Sequence, residues 1–157
     1  MTLDTQLLDT WNIHNRIIFY ILDALTSESL AGVPAGKGRS VGHILAHIHN
    51  VRLMWLNAAA PDLIGEMEKI PTRKKDEVTL VLLRASLEDS RQAMETLFKR
   101  GFEQGKISGF KPHPVAAFGY FLAHEWYHLG ETGMTLSQAG FPLDEKTAYG
   151  IWEWGSR

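Results

Sequence analysis

Apolar residues recur at helical spacing through four long windows, and glycine or proline interrupts the chain between them. A chain patterned this way has to bury four amphipathic helices against one another. The first window runs from Leu3 to about Leu30, with a stripe at Leu7, Trp11, Ile18, Leu22 and Leu25 and with Ile17 and Ile21 beside it. "AGVPAGKGRS" then breaks the pattern, and Ser40 is placed to cap the next helix by accepting from a free backbone N–H. That helix, "VGHILAHIHNVRLMWLNAAA", stops before Pro61, because the residue preceding a proline is pushed away from helical geometry. After the polar connector "PDLIGEMEKIPTRKKDE" the period returns from about Glu77 to Arg100, and Gly101 marks its end. The fourth window opens at Pro114, whose missing N–H has no helical partner in a first turn anyway, and closes near Gly140-Phe141-Pro142.

The expected fold is therefore all-α, a four-helix bundle, with a short C-terminal tail whose Trp152 and Trp154 require burial on it. "VTLVLL" is apolar enough for a strand but lies inside a helical window. The connectors are long for a plain up-and-down bundle, which suits crossover connections. A length of 157 residues, without repeats or a dividing linker, fits a single domain over 1–157.

Composition narrows the function. A net charge of -2 gives no reason to expect a nucleic-acid or anionic-membrane partner. No apolar run approaches the roughly 20 residues that span a bilayer. The N-terminus carries early acids rather than a basic-then-apolar signal, so a cytoplasmic protein is expected. Cysteine is absent, which removes disulfides and thiolate ligands; any metal must be held by His, Asp or Glu.

Seven histidines are unevenly placed, with His43, His47 and His49 in the second helix and His124 and His128 in the fourth. Residues four apart share one helix face, so His124 and His128 can share an ion, and so can His43 and His47. "AHEWYHLGE" spells H-E-x-x-H, the zinc-protease signature. A catalytic zinc takes three protein ligands and leaves a position open. Downstream, Glu131, Asp144, Glu145 and Glu153 are available as a third ligand; upstream, His47 lies at the edge of the stripe Ile44, Ile48, Val51 and Trp55. A histidine from one helix and an i,i+4 pair from another can meet inside a bundle. His43 competes with His47 for that place, whereas His14, His49 and His113 read as exposed or structural. Chance pairing of core or surface histidines is the plain alternative for all of them.

"SVGHILAHIHNVRLMWL", "LAHEWYHLGETGMTLSQAG" and the closing "YGIWEWGSR" together resemble the DinB/YfiT-like superfamily of metal-dependent enzymes. The resemblance implies a four-helix bundle, with one ligand histidine on helix two and an H-x-x-x-H pair on the last long helix. On that alignment the metal ligands are His47, His124 and His128. Many members carry Arg directly after the second histidine of the pair; here it is Leu129, and Glu131 stands where Gln is common. The resemblance also implies a homodimer, a small-molecule substrate and, as in some relatives, a low-molecular-weight thiol as cofactor.

Three neutral imidazoles suit zinc, nickel, copper or iron, with zinc or nickel favoured here. Such a centre supports either S-transfer from a thiolate or hydrolysis. Glu125 is the candidate catalytic residue, as the base that activates water; its other readings are an orienting partner to a ligand or an ion pair with a neighbouring helix. Two further readings compete. One is a non-enzymatic, stress-linked bundle with structural metal or none. The other is a metalloprotease, for which the chain shows neither a substrate-binding subdomain nor a convincing strand to pair with a peptide.

Overall fold

A computed structural model describes residues 1–72 and 78–156. Its elements are α1 (Leu3–Asp23), α2 (Ser27–Leu30), α3 (Val41–Ala59), α4 (Leu80–Gln104), α5 (Pro114–Gln138) and α6 (Glu145–Gly150), with short 3-10 turns at Pro61–Leu63 and Trp154–Ser156. Four of the six helices are long, and no strand forms among the described residues, only an isolated bridge between Ile107 and Phe110. This is the all-α bundle that the period predicts. No helix among them is long and apolar enough to cross a membrane.

The helix starts follow from side-chain capping. Ser40 Oγ accepts from the His43 N–H at 3.3 Å, and Thr79 Oγ1 accepts from the Leu82 N–H at 3.1 Å. His113 caps α5, its Nδ1 accepting from the Ala116 N–H at 3.1 Å, with Pro114 at the first helical position.

Two boundaries and the packing of the tail differ from the sequence pattern. The first window divides after Asp23 because Thr26 and Ser29 form a reciprocal capping box that starts a new helix, α2. The third window passes through Gly101 to Gln104, where Gly105 supplies the left-handed turn at φ 69. Gly101 is a packing glycine instead: a Cβ there would meet Ile107 Cγ1 at 2.6 Å. In the tail, Trp154 is half-buried, whereas Trp152 stays 68% exposed and stacks its ring on Trp126 at 5.9 Å. Of the connector "TRKKDE", only Thr72 is described; the expected solvated character of the rest, and the expected helix start at Glu77, lie outside the described residues.

In the bundle, α3 packs on both α4 and α5, and α1 packs chiefly on α4. Two apolar clusters fill the interior. One gathers Ile17, Ile18, Leu45, Ile48, Leu87 and Leu129; the other gathers Trp11, Leu56, Met94, Phe98, Phe118 and Phe121. Between them each long helix contributes a buried polar group. These are His14 and Asn15 from α1, Arg52 from α3, Ser90 from α4 and Glu125 from α5, none more than 1% exposed.

Arg52 binds Glu125 with both arms of its fork, Nε–H to Oε1 at 2.7 Å and Nη2–H to Oε2 at 2.6 Å. Its remaining N–H groups go to Asn15 Oδ1 at 2.8 Å, to the Leu87 carbonyl at 3.2 Å and to Ser90 Oγ at 3.4 Å. The guanidinium also lies over the Trp11 ring, 4.9 Å from its centroid. His14 Nε2–H donates to Glu125 Oε2 at 2.7 Å. Burial by itself would raise the Glu125 pKa. The Arg52 charge and hydrogen bonds, helped by His14, outweigh burial and hold it down to about 2.

Removing one partner of such a pair strands the other in the core. Glu125→Gln is expected to cost about 3–5 kcal/mol, lowering the melting temperature by on the order of 10 °C for a domain of this size. The depressed pKa fixes the pH window. The stabilisation from Glu125 is full above its ordinary value of 4.5 and is lost as pH falls through about 2. Acid titration followed by circular dichroism should show a stability loss over that window in the wild type, and Glu125→Gln should lack that component.

Candidate metal centre

His47 comes from α3, and His124 and His128 from α5, the two helices that pack side by side. One ring nitrogen from each lies within 4.8 Å of the others, a grouping able to hold a metal ion. His128 is buried, and His47 and His124 are half-buried. His124 Nε2 and His128 Nε2 are 3.2 Å apart. A tetrahedral ion with Zn–N bonds of about 2.0–2.1 Å separates two ligand nitrogens by about 3.3–3.4 Å, so this pair already stands at ligand spacing.

The donor set fits a divalent ion in a second respect. Glu131 lies one turn beyond His128, and its Oε2 accepts from His128 Nδ1–H at 2.7 Å. That bond selects the tautomer whose Nε2 lone pair faces the cluster, which is how carboxylates orient metal-binding imidazoles. Burial, followed by the charge of Arg39, pushes the His47 pKa down to about 4. Burial, followed by the neighbouring His128, lowers that of His124. Both rings are thus kept toward the neutral form, the one able to bind a metal, near neutral pH. His124 Nδ1 is buried without a hydrogen-bond partner.

Aromatic rings border the cluster. Tyr120 stacks on the His124 ring at 5.9 Å and 18°, with Trp55 and Phe110 behind it, and Tyr127 meets His128 edge-on at 5.1 Å. Tyr120 is 38% exposed and Tyr127 71%. The exposed Arg39 precedes the Ser40 cap of α3, close enough for its charge to act on both His47 and His124. The residue directly after His128 is Leu129, buried in the apolar core.

The other histidines are placed elsewhere. His43, one turn before His47, is half-buried and is not part of the cluster. His49 Nε2 meets the Glu68 carbonyl at 3.0 Å, His14 serves Glu125, and His113 caps α5. Asp144, Glu145 and Glu153 are not in the cluster either, and Asp144 caps α6. Glu125 turns inward between the two α5 histidines, 1% exposed, its carboxylate taken up by Arg52 and His14.

The sequence offers Glu131 as a third ligand, whereas the structure makes it the partner of His128 outside the cluster, and Arg52 was missed; both carry a recognisable spacing. Glu131 is three residues after His128 and so shares its face. Arg52 falls in phase with Leu45, Ile48 and Leu56, a charge inside an apolar stripe that signals a buried partner.

Comparison with characterised proteins and with solved structures returns no significant match. A family profile does match, over residues 1–149, nearly the whole chain, and the bundle with its histidine grouping agrees with it. The chain belongs to the DinB family.

Proposed function

We propose that the protein is a metal-dependent enzyme in which His47, His124 and His128 hold one divalent ion, zinc or nickel, and leave a position open for a small-molecule substrate. The observation that carries this reading is the convergence of three ring nitrogens, with Glu131 orienting His128. Held by these three neutral imidazoles, a divalent ion would keep its full charge and would ease deprotonation of a thiol or water at the open position, giving a nucleophile near neutral pH.

The surrounding residues choose among chemistries. Arg39 adds positive charge beside the histidines, which favours an anionic ligand such as a thiolate or carboxylate. The Tyr120 and Tyr127 rings offer apolar surface to the rest of the substrate. Glu125 is engaged by Arg52 and His14, an arrangement that supports thiol-dependent S-transfer over peptide cleavage with Glu125 as the water-activating base. A homodimer is part of the same proposal, by analogy with relatives.

Protein purified without a histidine tag should retain about one equivalent of divalent metal, the single ion that such a site holds. His47→Ala and His128→Ala should each lose it, and near-stoichiometric metal in both variants would contradict the site. Metal at about 1,000 times its dissociation constant should stabilise the wild type by about 4 kcal/mol and His128→Ala far less, as read by thermal melting.

Glu131→Gln keeps the three ligands but weakens the acceptor at His128 Nδ1. A metal-competition titration should show affinity reduced by about 10–100-fold, with stoichiometry unchanged. Adding a small thiol to cobalt-loaded protein should produce sulfur-to-metal charge-transfer absorption. Absence of that band, with spectral change on adding carboxylates instead, would favour hydrolysis.

A further inference from the structure

Hydrophobic contact is non-directional, so two helices held only by apolar side chains can settle at slightly different offsets. The metal centre tolerates little of this, because its ligands come from both helices: His47 from α3, His124 and His128 from α5. The Arg52–Glu125 pair joins the same two helices through two short N–H···O bonds in a planar fork. Glu125 sits in sequence between the two α5 ligands. Arg52 points about 140° away from His47 round α3, and Glu125 about 100° away from His124 and about 60° away from His128 round α5. Both members are turned into the core, Arg52 fully buried and Glu125 1% exposed.

We infer that the buried Arg52–Glu125 pair, steadied by His14, positions the metal ligands by setting the offset of α3 against α5. This rests on the proposed metal site and assigns the letter E of the H-E-x-x-H motif a positioning part. The Arg52 fork is fixed from two further sides, by Asn15 on α1 and by Leu87 and Ser90 on α4. A shift of either ligand helix would have to break bonds that all four long helices share. His14 makes the third bond to the Glu125 carboxylate and limits its rotation.

Stability and positioning can be separated, because replacing a whole buried ionic group by apolar residues of similar volume is often neutral or stabilising. The triple variant His14→Phe, Arg52→Met, Glu125→Met removes the polar group together, and Arg52→Lys keeps the charge but loses the fork. Zinc affinity by competition titration and the visible spectrum of cobalt-loaded protein would be measured for both and for the wild type, alongside melting of the metal-free forms.

Folded triple variant and Arg52→Lys are each expected to bind zinc about 10–100-fold more weakly, as when other supporting partners of metal ligands are removed, with an altered cobalt spectrum. Should the triple variant fail to melt cooperatively, Arg52→Lys decides by the same two readings. A folded variant that binds zinc as tightly as the wild type, with the same cobalt spectrum, would overturn the inference while leaving the metal site standing. A wild type that binds neither ion would overturn the metal site itself, and the inference with it.

Discussion

A guanidinium with every N–H committed lies at the middle of this bundle, and the two apolar clusters are arranged on either side of it. Burying a charge of this kind is costly, and attraction between the ions offsets the cost only when geometry is good and the leftover donors are satisfied. Arg52 meets both conditions. Its fork matches the Glu125 carboxylate, and Asn15, Ser90 and the Leu87 carbonyl take the rest. Lysine would offer one point charge and no plane, so the interaction depends on arginine in particular. Because each long helix supplies a member of the layer, the layer constrains the relative placement of all four.

The histidine cluster can be understood as the outer consequence of that inner layer. On α5 one short sequence serves both: Glu125 faces the core, while His124 and His128 meet His47 of α3. Glu131 then adds the acceptor that orients His128. Membership of the DinB family is consistent with a metal role for this grouping, and Leu129, directly after the second histidine, packs into the core. Arg39, reaching the same histidines from the loop before α3, puts positive charge near the cluster from a different direction.

Much of this was legible from residue spacing. Helical period and capping residues located the long helices, with Ser40 and Pro114 as starts, because those signals act locally. The i,i+4 rule paired His124 with His128, and the structure brings His47 to them in preference to His43. Features that depend on distant contacts were not legible. Gly101 looked like a terminator because its packing partner, Ile107, arrives only after the next turn. The role of Glu125 stayed open between a base, an orienting partner and an ion pair because its partners Arg52 and His14 lie on other helices, far away in sequence. Tertiary partners, which spacing within one helix cannot reveal, separate a water-facing carboxylate from one committed to the core.

The most direct test of the central claim is a crystal structure of metal-loaded protein with anomalous scattering collected at the zinc or nickel edge. The account predicts one peak about 2.0–2.2 Å from ring nitrogens of His47, His124 and His128, with Glu131 still bonded to His128 Nδ1 and a non-protein ligand in the remaining position. A peak held by other residues, or none at these three histidines at saturating metal, would contradict it.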